Sequence, residues 1–332
     1  MTVDADGVIT ATSTESVRVG MLAKDAQAMA EEPVMSKALA KCCVLLAVEA
    51  ATQSGAIPPH TASPDEIQEV AEALAAHAEA ATAPAARTEG KHTPLHLAAV
   101  GQASQLVQML MDAGATMEGG LMGEPGGTPL TFALFYAATE TAELLAASMS
   151  DDELSLREAA GLGRDVESYD VGRAVARARC GFYRPIEAFP EWARTYEAAE
   201  LVGEALAWAA RNGQVKAMAE LVKVHDADVD ATVYRGTPLL WAVYADNAAA
   251  AEWLIAAGAD VDRVHDFGGR EHGQQATALH LAGQFGAVKC LQVLLAAGAD
   301  ATIKDGGFGA TALGWAEHCG NEEGMAALRG RE

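Results

Sequence analysis

Aromatic rings and positive charge are the scarce materials of this chain. Only eighteen of its 332 residues are aromatic (five Trp, six Tyr, seven Phe), although 50% are apolar. Its core must therefore be built mostly from small aliphatic side chains, and alanine visibly supplies them. Lys and Arg together number 23 against 46 Asp and Glu, a formal charge of −23. That balance argues against nucleic acid as the main partner, because phosphate binding draws on clustered Lys and Arg. Anionic membrane surfaces are disfavoured for the same reason. The five cysteines (Cys42, Cys43, Cys180, Cys290 and Cys319) are scattered, with no C-x-x-C spacing, which excludes both a disulfide framework and a thiolate zinc site. The densest apolar run, residues 38–48, is broken by Lys41 and stops at Glu49, too short for a membrane span. No basic-then-apolar leader opens the chain, and no P-loop, H-E-x-x-H or G-x-S-x-G motif occurs in it. The expectation is a cytoplasmic protein without a cofactor and without catalytic residues.

What the chain has in place of these is an internal repeat. Thr93-Pro94-Leu95-His96-Leu97-Ala98 returns as Thr128-Pro129-Leu130-Thr131-Phe132-Ala133 and as Thr237-Pro238-Leu239-Leu240-Trp241-Ala242. Two further copies read Thr277-Ala278-Leu279-His280-Leu281-Ala282 and Thr311-Ala312-Leu313-Gly314-Trp315-Ala316. Two degenerate copies, around Leu156 and Leu206, keep only the helical part. A second signature, Ala-Gly-Ala, follows an apolar helix at 113–115 and recurs at 257–259 and 297–299. Its glycines (Gly114, Gly258, Gly298) suit the left-handed turn that ends a helix. Thr and Pro suit a helix start, since the first turn can spare the N–H that proline lacks.

Together these features resemble the ankyrin repeat: a T-P-L-H start, a helix, a turn, a second helix and a hairpin loop, about 33 residues in all. Spacings between the key leucines test the resemblance. They are 35 from Leu95 to Leu130, 33 from Leu206 to Leu239, 40 from Leu239 to Leu279 and 34 from Leu279 to Leu313. Leu130 to Leu156 is only 26, and Leu156 to Leu206 is 50, so one unit is short and an insertion follows it. The fold class expected is an all-α ankyrin solenoid of about seven units over residues 87–332. The resemblance implies that His96 and His280 bond backbone between neighbouring repeats. Trp241 and Trp315, on first helices, either line the groove or fill the stack.

Ahead of the repeats, residues 1–18 read as a disordered leader and 19–86 as a helical cap or docking region, with self-association through 19–86 as an alternative. Ser63, Pro64 and Glu66 read as a capping box there, an expectation from the residue order.

Departures from the repeat are where function would sit. The insertion at 169–203 holds Tyr169, Phe182, Tyr183, Phe189, Trp192 and Tyr196, a third of all the aromatics, with five arginines. Aromatics and Arg dominate binding hot spots. The same rings could instead plug the gap beside the short unit. Gly181-Phe182-Tyr183-Arg184-Pro185, Phe189-Pro190-x-Trp192, Tyr234-Arg235-Gly236-Thr237-Pro238 and Gly314-Trp315-Ala316-Glu317-His318 resemble a group of bacterial ankyrin-repeat proteins. The resemblance covers residues 93 to about 328 and implies a cytosolic repeat protein, not an activity.

The function expected is non-catalytic capture of a protein partner on the concave face of fingers and groove, with the insertion as anchor. The contacts nominated are Tyr183, Arg184, Phe189, Trp192, Tyr234, Arg235, Phe267, Arg270 and Phe308. The alternative is a metal-assisted enzyme between the insertion and the 264–275 finger, using His265, Glu271 and His272.

Overall fold

The computed structural model describes residues 2–3, 9–10, 94–100, 104–112, 114–115, 127–147, 149–178, 196–266 and 274–331. Near the amino terminus Thr2–Val3 (β1) and Ile9–Thr10 (β2) form a two-residue antiparallel pair, with Thr2 opposite Thr10. The rest of the leader expected at 1–18, and all of the cap expected at 19–86, lie outside the described residues. The chain divides into two compact units, Met1–Ser148 with Arg184–Pro190, and Met149–Tyr183 with Glu191–Glu332.

The first unit contains α1 (Pro94–Val100), α2 (Ser104–Asp112), α3 (Pro129–Phe135) and α4 (Thr139–Ala146). Each consecutive pair is a helical hairpin, with α1 packed on α3 and α2 packed on α4. The second unit opens with a 3-10 turn at Asp151–Glu153, then α5 (Leu156–Gly161) and α6 (Val171–Arg177). Four hairpins follow. They are α7 (Ala198–Arg211) with α8 (Val215–His225), α9 (Pro238–Tyr244) with α10 (Ala248–Ala256), α11 (Ala278–Phe285) with α12 (Val288–Ala296), and α13 (Ala312–His318) with α14 (Glu322–Leu328). Inner helices α5, α7, α9, α11 and α13 stack in chain order, and outer helices α8, α10, α12 and α14 stack beside them.

Local chemistry sets each inner helix start. Thr128, Thr237 and Thr311 sit in extended backbone, and their hydroxyl oxygens accept the N–H groups of Thr131, Leu240 and Gly314 at 3.1, 3.4 and 3.4 Å. Each bond satisfies one of the N–H groups that a helix start leaves orphaned. At α11 the cap is reciprocal, since the Thr277 N–H donates to Nδ1 of His280 at 3.1 Å. Helix α5 repeats this device with other residues: the Ser155 N–H donates to the Glu158 carboxylate at 2.8 Å. Glu158 thus does the capping work of the motif histidine. Leu156 stands at the first helical position of α5, where α3 and α9 place Pro129 and Pro238. Downstream, Gly114, Gly258 and Gly298 take φ of 94°, 101° and 89°, the left-handed turns that the Ala-Gly signature predicts.

The core is leucine and alanine. Leu206, Leu239 and Leu279 are buried, and Ala209, Ala242, Ala282 and Ala316 have no solvent exposure. Small side chains let helices close in, most tightly at Gly283 of α11. A Cβ there would lie 2.7 Å from the Ala312 carbonyl oxygen of α13. Loop carboxylates stitch neighbouring repeats together. Asp230 accepts the Asp260 N–H at 3.2 Å, and Asp262 accepts the Asp300 N–H at 2.9 Å. Asn321 reaches back to donate to the Gly283 carbonyl at 2.9 Å.

Because the atom that a new methyl would strike at residue 283 is backbone, Gly283→Ala must push α11 and α13 apart. The expected cost is about 1–3 kcal/mol, read as a lower urea midpoint. An unchanged midpoint would mean that the two helices have slack between them.

Candidate functional site

The described fingers of the second unit are small devices that turn some side chains inward and others out. In the finger at 233–236, Val233 and Gly236 form an antiparallel bridge, and Tyr234 and Arg235 take φ of 52° and 68°. Positive φ at both central residues is the mark of the tight hairpin turn that matches strand twist. The turn directs Arg235 into solvent and buries Tyr234 to 2% exposure. The Tyr234 ring meets Trp241 edge-on at 6.0 Å, and the Trp241 Nε1–H donates to the Val233 carbonyl at 2.8 Å.

The last finger is fastened from two sides. The Asp305 carboxylate accepts N–H groups from Gly307 (2.8 Å), Phe308 (2.6 Å) and Ala310 (2.9 Å), and the indole N–H of Trp315 at 3.0 Å. Burial works against the charge of Asp305, but these donors outweigh it and hold its pKa below the usual carboxylate range. From the preceding repeat, His280 Nε2 hydrogen-bonds to the Ala310 carbonyl oxygen at 3.1 Å. His96 makes the same bond to the Gly127 carbonyl oxygen at 3.4 Å. Both histidines therefore bond backbone between repeats, as the resemblance implies. At the tip of this finger Phe308 is 68% exposed.

Behind the fingers runs a buried polar row absent from the expectations above. Arg157 of α5, 3% exposed, donates to Glu204 of α7, 1% exposed, at 2.9 Å. The same guanidinium donates to the Tyr234 hydroxyl at 3.5 Å and lies 4.7 Å over the Trp208 ring. One repeat on, Arg211 lies 4.7 Å over Trp241 and 4.2 Å over Tyr244. Counted back eight residues from the C-caps Asn212, Ala245 and Cys319, Glu204 holds the place of Thr237 and Thr311. It needs no cap there, because α7 already runs from Ala198. An ionisable residue standing where the motif wants threonine was the available signal in the sequence. A small pocket of about 20 Å³, room for a single water, lies beside the pair, between α5, α6 and α7.

The nominated residues fare unequally. Arg235 and Phe308 are exposed, while Tyr234 is a core residue and offers no face to a partner, because the hairpin turn points it inward. Trp241 and Trp315 are buried and fill the stack. Tyr183, Arg184, Phe189, Trp192, Phe267, Arg270, Glu271 and His272 lie outside the described residues. His265 is buried at the base of its finger, where its backbone pairs with Ala276 at 2.8 and 3.0 Å. Burial, with Arg263 adding to it, pushes the His265 pKa down to about 4. Among the described residues, no three His, Cys, Asp or Glu side chains are grouped to hold a metal ion.

The family model for the ankyrin repeat matches residues 91–118 and 274–306, and the model for three ankyrin copies matches 199–265. These stretches are ankyrin repeats, and the fold is an all-α ankyrin solenoid. No curated protein matches the chain significantly. The motifs at 181–192 fall outside the matched stretches. Ankyrin repeats serve in general as protein–protein interaction modules. Among the described residues, no helix is long and apolar enough to cross a membrane.

Removing one partner of a buried ion pair strands the other. Glu204→Ala is expected to cost about 3–5 kcal/mol, whereas the double change Arg157→Met with Glu204→Leu should recover most of it. A urea-denaturation cycle measures both. Equal losses in the single and double variants would show that packing alone, not the charge pair, matters there.

His265 and His280 both have pKa values lowered chiefly by burial. The unfolded chain binds protons on them below about pH 6.5. Stability from their neutral forms is thus complete above that pH and drains away as pH falls toward 4. The melting temperature should drop from pH 7 to pH 4.5, less steeply in His265→Gln. An unaltered slope in that variant would contradict the assignment.

Proposed function

We propose that this chain is a non-catalytic module that captures a protein partner in the cytoplasm, on the finger and groove face of its ankyrin stack. Phe308 carries the reading. A large apolar ring is held in water on a finger fixed by Asp305, Trp315 and His280. Rigid, exposed aromatics lose little entropy on binding and make strong anchors. Arg235 stands exposed on another finger and supplies a second contact of the type enriched at interfaces. The insertion at 169–203 is the further anchor in this reading, through Tyr183, Arg184, Phe189 and Trp192, with Phe267 and Arg270 from the long finger. Its motifs are also those that resemble the bacterial ankyrin group. The excess of carboxylates favours a partner segment that is basic or amphipathic.

Phe308→Ala removes the anchor without touching the Asp305 bonds, which run to backbone and indole N–H groups. Its expected effect is a loss of about 2 kcal/mol in partner binding, roughly thirtyfold, with the melting temperature unchanged. The comparison is affinity capture from the native host with wild type, Phe308→Ala and the triple change Tyr183→Ala, Arg184→Ala, Trp192→Ala. Equal recovery of the same partners by all three proteins would refute the proposal.

A further inference from the structure

Helix α6 differs in kind from the helices around it. Of its seven residues only Ala174 is buried, joined by Ala178 just past its end, whereas α7 buries every residue from Leu201 to Arg211. Among the described residues, the side-chain bonds that fasten α6 to its unit lie near the surface. The Arg173 guanidinium pairs with Asp152 at 2.8 Å, with both side chains more than half exposed. Arg177 donates to the Asp152 backbone carbonyl, and the Tyr169 hydroxyl donates to the Leu154 carbonyl at 2.9 Å. Just upstream, Asp165 accepts from the Glu167 and Ser168 N–H groups and from the Ser168 hydroxyl, which fixes the chain up to Ser168. Beneath α6 lies the pocket, with Arg157 and Glu204 on its floor and Ala174, Arg177 and Ala178 on its roof.

We propose that α6 is a hinged lid. It swings away about Tyr169 and Asp170, while α5 and α7 stay folded, and so opens the pocket and bares the Arg157–Glu204 pair. The balance of interactions favours this motion. Opening exposes the Ala174 and Ala178 methyls and the small pocket floor beneath them, and it exchanges surface hydrogen bonds for bonds to water, each of small net worth. Displacing α7 would instead expose eleven consecutive buried residues. Segments with little buried apolar surface and water-accessible hydrogen bonds open locally, far below the free energy of global unfolding. The lid does not depend on which partner the fingers hold.

Hydrogen exchange on the full chain, read by mass spectrometry at peptide resolution, tests it. Amides of Gly172 to Ala178 should exchange at least about a hundredfold faster than those of Leu206 to Arg211. Asp152→Ala should speed α6 a further two- to fivefold, roughly the worth of an exposed ion pair, and leave α7 unchanged. One molar salt should act on wild type in the same direction, and Tyr169→Phe should also speed α6 alone. Protection of α6 in step with α7, or a parallel rise of both in Asp152→Ala, would overturn the lid, because α6 would then open only when the stack unfolds.

Discussion

At inner-helix interfaces in this protein, a nitrogen-bearing side chain from one repeat rests against an aromatic ring of the next. His96 meets Phe132 at 5.3 Å, Arg157 covers Trp208, Arg211 covers Trp241, and His280 meets Trp315 at 5.4 Å. Each of these rings lies four residues past a threonine, or past Glu204 standing in its place. A ring offers its electron-rich face to a cation and its body to aliphatic neighbours, so one side chain serves polar and apolar contacts together. A core of leucine and alanine has few bulky, directional groups with which to hold register. These rings are such groups, and so a chain poor in aromatics spends several of them at repeat junctions.

The substitutions that blur the repeat in sequence keep its bonding intact. Glu158 replaces the motif histidine at α5 and still closes the capping box with Ser155. Glu204 replaces threonine in the middle of a longer helix, and the charge it brings is answered by Arg157 from the repeat before. That pair reaches Tyr234 in the following finger, so a single guanidinium joins three successive segments. The degenerate repeats are thus held by a different chemistry from the regular ones, and the same chemistry lies under α6.

Features made by neighbours in sequence were legible beforehand. Threonine caps, proline starts and glycine stops depend on a few adjacent residues, so a motif displays them directly. The roles of His96 and His280 were legible too, because the motif carries a bond to the next repeat. Tyr234 was not. Its direction is set by the hand of a two-residue turn, and Tyr-Arg does not announce that turn as Asn-Gly would. Nor was the burial of Arg157, which becomes affordable only through Glu204, 47 residues away. Its one local trace is Glu204 at a threonine position, which does not say which cation answers it. Of the face nominated for a partner, Arg235 and Phe308 could be read as exposed because they fall at finger tips.

The last finger also bears on chemical ageing. Asp305-Gly306 is an Asp-Gly step, the aspartate sequence most prone to cyclise when the following amide nitrogen attacks the side-chain carbonyl. Here that nitrogen donates to the Gln274 carbonyl at 2.6 Å, and the carboxylate is occupied by three backbone N–H groups and an indole. Nucleophile and electrophile are both engaged and held in fixed positions. The bonds that display Phe308 therefore also shield the backbone beneath it, and the finger should keep its covalent integrity for as long as the repeat stays folded.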